Sequence, residues 1–241
     1  MPLDYPQRKQ NLVYGGKSGF IGYLMIRPSG PWRMYWKTLE GLVLWLDFNK
    51  CQAIDLSGNG NNGTIYGAQC VEGRSGKALS FDGVDDYVEV NDSESLDITN
   101  GITILAWINA NSFPKEACMI NKDTSSSNGY GFFVKEGRLA FLFGPGGYSW
   151  DYKSDVAQPQ TNKWEFVGVT YNGVDTINYY LNGEYMDSKH PSGSIAPNDK
   201  VLTIAKQAFT AKGWFDGIID EVRIYNRPLS EEEIKWLYEH T

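Results

Sequence analysis

The chain has 241 residues, of which 41% are hydrophobic and 14% aromatic, so one large all-β domain with an appendage fits its length. The formal net charge of −7 disfavours general nucleic-acid binding, which needs a basic surface to displace counterions from phosphates. No stretch approaches eighteen consecutive apolar residues, which excludes a membrane-spanning helix.

Residues 1–40 form the first predicted unit, a basic and aromatic arm. Residues 1–41 hold six Lys/Arg against two Asp/Glu, or +4, so the remainder carries −11. Prolines interrupt its short apolar runs, which favours an extended or hairpin-like conformation. The arm is too short for a core of its own, so we expect it to pack on the main domain, as a strand pair completing it, or on another chain. Its first residues lack the pattern of a secretory signal peptide.

Two segments place a carboxylate where it needs a partner. Segment 55–63 (DLSGNGNNG) surrounds Asp55 with side-chain and carbonyl oxygens, which are the ligands that calcium prefers. In segment 217–225 (GIIDEVRIY) alternate positions form a predicted apolar row: Ile218, Asp220, Val222 and Ile224. A carboxylate in that row needs a cation, so Asp55 and Asp220 are predicted to share one ion. The alternative is that Asp55 begins an Asx-turn and that backbone amides satisfy Asp220.

Cys51 and Cys70 flank the 55–63 loop. A disulfide between them would clamp the loop in an oxidising setting, and separate buried thiols are the alternative. Cys118 is left over in either case. No Cys/His cluster has the spacing of a zinc site.

From residue 42 onward short alternating runs separated by turns predict strands. Asn182-Gly183 is a strong hairpin signal because both residues tolerate positive φ. Nine or more strands with one helix at most predict a two-sheet antiparallel sandwich. The predicted strands lie at 42–48, 79–90, 102–110, 131–135, 139–143, 164–171, 176–181, 201–205 and 217–225.

Loop 144–152 (GPGGYSWDY) places Tyr148, Trp150 and Tyr152 among glycines. Flat side chains in such a loop suit stacking on a sugar ring or anchoring a protein contact, so these three are predicted ligand-binding residues. The alternative is that they staple the loop to the edge of the sandwich.

One helix is predicted near the C-terminus. Ser230 and Glu233 form a capping box, and the acidic first turn suits the helix dipole. Ile234 and Leu237 lie on one face of this helix and are expected to seal the end of the sandwich.

The series of segments resembles the laminin-G-like, concanavalin-A-like jelly roll in its bacterial and viral branch, over about residues 41–239. The segments that carry the resemblance are GLVLWLDF (41–48), DLSGNGNNGTIYGA (55–68), GKALSFDGVDDYVEV (76–90), ITILAWINA (102–110), KWEFVGVTYNG (163–173), YYLNGE (179–184) and GIIDEVRIYNRPLSEEEI (217–234). The resemblance implies an all-β, two-sheet antiparallel jelly-roll domain over 41–241, with one short C-terminal helix and the arm before it.

The resemblance also implies a structural calcium site and a binding role. By analogy, Asp55 and Asp220 supply side-chain ligands, while Gly60 and Asn62 add loop oxygens. Related jelly-roll glycoside hydrolases carry a Glu-x-Asp-x-x-Glu strand, and no Glu of this chain is followed by Asp two positions later. His190 lies in a polar turn, so we assign no catalytic residue and expect a protein that is not an enzyme.

Two functions fit these observations. The first is a structural or recognition protein of a larger assembly, such as a virion decoration or tail protein, whose arm docks on a protein partner or on a second copy. The alternative is a calcium-dependent carbohydrate-binding module of a secreted glycoside hydrolase or adhesin. Both place the domain on a virion or another extracellular surface. The sequence does not choose the ligand.

Overall fold

The computed structural model describes residues 31–123, 128–145, 150–207 and 213–241, with only the backbone described at 31–33, 145, 150 and 151. A helix, α1 (Pro31–Lys37), precedes the strands, a 3-10 turn covers Glu94–Leu96, and a second helix, α2 (Glu231–His240), follows them. The strands in these ranges are β1 (Leu42–Leu46), β2 (Gly63–Tyr66), β3 (Gln69–Glu72), β4 (Lys77–Asp82), β5 (Tyr87–Val90), β6 (Ile102–Ser112), β7 (Glu116–Asp123), β8 (Asn128–Lys135), β9 (Arg138–Pro145), β10 (Trp150–Lys153), β11 (Glu165–Tyr171), β12 (Ile177–Leu181), β13 (Glu184–Lys189), β14 (Leu202–Ile204) and β15 (Asp216–Tyr225).

The strands form two antiparallel sheets. The larger sheet has the order β13-β12-β11-β6-β15-β4-β3, and β1 pairs with the second half of β15. The smaller sheet has the order β10-β9-β8-β7-β14-β5-β2. This architecture confirms the predicted two-sheet jelly-roll sandwich.

The main core lies between the sheets and is built by alternation along each strand. In β6, Ile104 and Ile108 point into this core, whereas Leu105 and Trp107 belong to a second apolar cluster on the outer face of the larger sheet. The larger sheet is therefore covered on both faces, which explains why most of β6 is buried.

Asp220 in strand β15 does not lie on the predicted face of the sheet. A bulge interrupts its pairing with β6 between Asp220 and Arg223, and Glu221 adopts a φ of 52°. The inward row consists of Ile219, Val222 and Ile224. Asp220 pairs with Trp107, and directly paired residues share a face, so Asp220 lies on the outer face. The prediction of one apolar row was wrong because a bulge uses one extra residue and shifts the alternation.

Helix α2 confirms the predicted capping box. The Ser230 hydroxyl accepts a hydrogen bond from the Glu233 amide, and the Glu233 carboxylate accepts one from the Ser230 amide. Ile234 and Leu237 pack in the outer cluster with Leu105 and neighbouring residues. The helix thus covers the outer face of the larger sheet rather than sealing the end of the sandwich.

Residues 31–40 do not form the expected extended or hairpin-like chain. They begin with α1, in which Pro31 occupies the first turn, where a missing N–H costs no helical hydrogen bond. Arg227 holds this segment on the domain by donating to the Lys37 carbonyl and the Glu40 carbonyl, each at 2.8 Å. The rest of the predicted arm, residues 1–30, lies outside the described residues.

Cys51 and Cys70 form a disulfide, with their Cα atoms 5.4 Å apart. The bond joins the segment before the 55–63 loop to β3. Cys118 is free and buried, and burial raises the pKa of its thiol well above the ordinary value. None of the helices described here has the length and apolar content needed to cross a membrane.

Candidate functional site

Asp55 is held by its own loop. Its carboxylate accepts hydrogen bonds from the Trp45 amide at 3.0 Å, the Ser57 amide at 2.9 Å, the Ser57 hydroxyl at 2.8 Å and the Asn61 amide at 3.0 Å. These four donors match the four lone pairs of a carboxylate. The bond from Ser57 is an Asx-turn, which is the alternative arrangement expected for this loop.

Asp220 is enclosed by the β3–β4 hairpin loop. Its Oδ2 accepts from the Arg74 amide at 2.9 Å and the Ser75 amide at 3.2 Å, and its Oδ1 accepts from the Glu221 amide at 2.8 Å. Burial is the main cause that raises the pKa of Asp220 to about 7, against the lowering effect of these amides. The close approach of the loop requires Gly73, since a Cβ there would lie 2.6 Å from Oδ2.

The two carboxylates share no hydrogen-bond partner among the described residues. The other predicted ligands belong to the Asp55 loop: the Asn62 Oδ1 accepts from the Asp55 amide at 2.9 Å, and Gly60 has a φ of +81°. A calcium ion shared by Asp55 and Asp220 would have to displace a donor from Asp55, whose four lone pairs are all used, whereas Asp220 Oδ1 accepts from the Glu221 amide alone. The present arrangement of these residues therefore does not fit a shared ion.

A charged cluster surrounds Asp220 on the outer face. Glu221 Oε2 accepts from the Trp45 indole at 2.8 Å and from Arg223 Nη2 at 2.7 Å. The Arg223 guanidinium stacks on the Trp45 ring at 4.6 Å. Glu221 and Arg223 are only 5% and 4% exposed, so this ion pair is buried. Alternation alone puts Glu221 and Arg223 on one face, and the bulge adds Asp220 to that face, which the sequence did not indicate.

The predicted ligand-binding residues of the 144–152 loop are only partly described. Tyr148 lies outside the described residues, and only the backbone of Trp150 is described, paired with Phe143. Tyr152 is half-buried, and its ring stacks on Phe143 at 5.7 Å. Burial raises the pKa of the Tyr152 hydroxyl. Tyr152 thus packs on the edge of the smaller sheet, as the alternative reading of this loop expects.

The structure forms an aromatic platform that the sequence did not indicate, defined here as Tyr66, Tyr87 and Trp214 with Lys206. Tyr66 and Tyr87 are directly paired on β2 and β5, and their rings stack at 4.5 Å with an interplanar angle of 12°. Trp214 lies 6.2 Å from Tyr87, and the Lys206 ammonium lies 3.9 Å from the centre of the Tyr87 ring. Tyr66 remains 41% exposed, so one ring of a preorganised stack is open to a ligand.

An acidic turn borders this platform. The carboxylate oxygens of Asp82, Asp85 and Asp86 lie within 4.8 Å of one another. Asp82 Oδ1 accepts from the Val84 amide at 2.8 Å, the main cause that lowers the pKa of Asp82. Asp86 contacts the backbone next to Tyr66, since a Cβ at Gly67 would lie 1.9 Å from its Oδ1. The turn orders itself through these bonds and presents exposed carboxylates beside the platform.

The two histidines make local contacts. His190 is exposed and its Nε2 lies 3.4 Å from the Ser188 hydroxyl. His240 stacks on Trp236 at 4.3 Å, and its Nδ1 lies 2.8 Å from the Trp236 carbonyl. Neither of these contacts pairs a nucleophile with a base held by a third group.

Comparisons with known proteins agree with this fold. The curated Paraclostridial mosquitocidal protein 1 of Paraclostridium bifermentans is 24% identical over 230 residues, which cover 83% of this chain and 17% of that protein. The solved binding domain of that toxin has a TM-score of 0.71 at 23% identity, over 84% of this chain and 53% of the domain. This chain therefore spans about half of the solved domain and a small part of the whole toxin.

Two further solved structures are similar. Domain 4 of AbnA, a GH43 extracellular arabinanase from Geobacillus stearothermophilus solved in complex with arabinotriose, has a TM-score of 0.68 at 18% identity, over 82% of this chain and 98% of that domain. The binding domain of botulinum neurotoxin serotype G has a TM-score of 0.69 at 16% identity, over 83% of this chain and 51% of that domain. The TM-scores show that these domains share the fold of this chain, and at such low sequence identities they show the fold alone.

A protein family also matches this chain. Residues 82–235, well over half of the chain, match the Laminin_G_3 profile, described as the concanavalin A-like lectin/glucanases superfamily. The match includes β6, β11 and β15 at the centre of the larger sheet. The chain belongs to the Laminin_G_3 family of concanavalin A-like domains.

Proposed function

We propose that this chain is a non-catalytic binding domain of an extracellular protein and that its ligand is a neutral or basic glycan. The observation that carries the proposal is the aromatic platform, a rigid stack with one exposed ring beside exposed carboxylates. The similar solved structures support it, because they are binding domains of toxins and a domain of a secreted arabinanase in complex with a sugar. The disulfide between Cys51 and Cys70 suits an oxidising compartment.

The chemistry of the platform fits a sugar. The flat ring of Tyr66 offers an apolar surface for the C–H face of a pyranose or furanose ring, and its stacking on Tyr87 fixes the ring before binding. The exposed carboxylates of Asp82 and Asp85 are acceptors for sugar hydroxyls. The three carboxylates of the acidic turn outnumber the Lys206 ammonium at this edge, which disfavours acidic glycans and restricts the proposed ligands to neutral or basic ones.

The test is a glycan array followed by titration calorimetry on the best ligand. We expect Tyr66→Ala to weaken binding about tenfold or more, a loss above about 1.4 kcal/mol. Tyr185→Ala is the matched control, because Tyr185 is 44% exposed on β13 and lies outside the platform. The absence of any glycan bound by the wild type, or equal affinities of Tyr66→Ala and the wild type, would contradict the proposed site.

The loop with Tyr148, Trp150 and Tyr152 stays a proposed alternative location for the ligand. Its hairpin lies at the β10 edge of the smaller sheet, whereas the Tyr66 platform lies at the β2 edge. Trp150→Ala in the same titrations separates the two locations. If Trp150→Ala lowers the affinity and Tyr66→Ala does not, the binding site lies at the β10 edge.

A structural calcium ion at Asp55, Gly60, Asn62 and Asp220 also stays a proposal. Its support is the oxygen-rich loop, and the hydrogen bonds to both carboxylates weigh against it. An ion at a hundred times its dissociation constant would stabilise the native state by about 2.7 kcal/mol. Thermal unfolding with calcium and with a chelator measures this, with Asp220→Asn as the control. Equal melting temperatures in both solutions would exclude the ion.

The assembly role of the arm, in a virion decoration or tail protein or in a homo-oligomer, stays a separate proposal. Its support is the basic charge of residues 1–41 on an otherwise acidic chain. Because residues 31–40 pack on the domain, the sharpest variant removes residues 1–30 only. We expect the shortened protein to fold and to lose self-association or partner binding in light-scattering measurements. Unchanged association would refute a docking role for the removed residues.

A further inference from the structure

On the outer face of the larger sheet lies a buried guanidinium nitrogen that has no partner in the described part of the chain. Arg223 is 4% exposed, and its Nη2 donates to Glu221 at 2.7 Å. Its Nη1 has no hydrogen-bond partner among the residues that the structure describes. Buried polar atoms are nearly always hydrogen-bonded, so an exception of this kind points to a missing acceptor.

Arg223 lines a cavity of about 60 Å³ between the sheet and the two helices. The sheet supplies Trp45 and Glu221, α2 supplies Trp236 and His240, and the hairpin loop supplies Ser75. One water-sized group needs roughly 10–15 Å³ of such volume, so the cavity holds about four to six such groups. That is the size of one edge of a sugar ring with its hydroxyls.

The charges of the buried ion pair that lines the cavity offset each other. Arg223 and Glu221 both line it, and their side chains are paired at 2.7 Å. A bound anion would lie beside the Glu221 carboxylate, and a bound cation would lie beside the Arg223 guanidinium. A neutral ligand therefore fits best.

We propose that this cavity is a second binding site, in which a neutral sugar places a hydroxyl oxygen on Arg223 Nη1. A hydroxyl accepts from this nitrogen and can donate its own proton to a neighbouring acceptor. The indole and tyrosine side chains of Trp45, Trp236 and Tyr35 provide the apolar part of the wall. The inference rests on the proposed glycan-binding function and adds a site that is separate from the Tyr66 platform.

The site includes residues of α1. Tyr35 makes an edge contact with Trp236 at 6.2 Å, and Thr38 and Leu39 also line the cavity. A ligand in the cavity therefore touches both the sandwich and the segment that precedes it. Binding is expected to protect the amides of residues 34–39 from hydrogen exchange.

The experiment is a ligand-observed NMR titration of the full chain with free galactose, glucose, mannose and arabinose. Glucuronate is titrated as the charged sugar for comparison. Four variants locate the binding, and one of them is Tyr66→Ala at the platform. Ser75→Phe blocks the exposed side of the cavity and keeps the Ser75 amide bond to Asp220, and Ser192→Phe is the control at another exposed Ser-Gly pair. Arg223→Lys keeps the positive charge and removes Nη1.

We expect saturable binding of at least one neutral sugar, unchanged in Ser192→Phe, abolished in Ser75→Phe and weakened about tenfold or more in Arg223→Lys. Binding of glucuronate alone would overturn the choice of a neutral ligand. Binding that survives Ser75→Phe and disappears in Tyr66→Ala would overturn the cavity site and leave the proposed function intact. Loss in Ser75→Phe with no effect of Tyr66→Ala would support the cavity and refute the platform.

Discussion

The two faces of β15 are buried to nearly the same extent by different means. On the inner face, Ile219, Val222 and Ile224 are fully buried in the apolar core between the sheets. On the outer face, helices and a hairpin loop cover Glu221 and Arg223, which are 5% and 4% exposed. The comparison teaches that β15 packs in an apolar core where it faces the second sheet, whereas its cover of helices and loops leaves room for paired charges and a cavity.

The inner face is expected to give the largest effect on stability. Ile224→Ala removes packed atoms that the surrounding sheets cannot replace, so we expect a loss of about 4 kcal/mol in the free energy of unfolding. Urea unfolding followed by fluorescence measures it. Val174→Ala is the control, because Val174 is 66% exposed and should change stability by less than about 0.5 kcal/mol. A loss below about 1 kcal/mol for Ile224→Ala would show that this face is not the tightly packed one.

The outer face should respond to loss of charge balance. Glu221→Gln leaves the buried Arg223 guanidinium without its counter-charge, and we expect a loss of about 3 kcal/mol. The double variant Glu221→Gln/Arg223→Met removes both charges and should recover part of that loss in a double-mutant cycle. Additive losses in the cycle would mean that the two side chains do not act as a pair.

A smaller effect is expected at the helix that covers the outer face. Ser230→Ala removes the N-cap of α2 and should cost about 1 kcal/mol, or a fall of about 2–4 °C in Tm for a chain of this size. Calorimetry measures the shift, and Ser192→Ala in an exposed loop is the control. An unchanged Tm for Ser230→Ala would show that the stability of α2 does not depend on its N-cap residue.

The smallest effect is a pH dependence of the same outer layer. Burial raises the pKa of Glu233, but the Arg227 guanidinium, the Ser230 amide and Lys37 outweigh it, so the pKa lies below its ordinary value of 4.5. The stability from this lowered pKa is present above pH 4.5 and is lost as the pH falls through the folded pKa. Urea unfolding of the wild type and of Glu233→Gln is measured between pH 7 and 3. The difference between their free energies of unfolding should become smaller below about pH 4.5. A difference that stays constant over this range would contradict the ionised pair.

Much of the fold was predictable because its signals are local. Alternation along β6 and β11 and the Asn182-Gly183 turn define strands and a hairpin, and Ser230 with Glu233 defines α2. The position of Asp220 was not predictable, because the bulge occurs at Glu221, a residue that rarely takes a positive φ. Helix α1 had a signal in the sequence. Pro31, the first residue of PWRMYWK, suits the first turn of a helix as well as the interruption of an extended run.

The candidate sites were less predictable because they depend on strand order. Tyr66 and Tyr87 meet through the pairing of β2 with β5, and Trp214 joins them from the segment before β15. The Arg223 cavity needs α1, β1 and α2 together. No short segment contains these combinations, so only the topology reveals them.

The position of β15 has a consequence for biosynthesis. This strand is the last in the described chain, yet it lies between β6 and β4 and also pairs with β1, the first strand. A ribosome releases these partners long before their common neighbour, so their hydrogen-bonding edges stay unpaired until residues 216–225 emerge. Closure of the larger sheet is therefore expected only after residues 216–225 have emerged, and the slow step should be the pairing of this one late strand with three early partners.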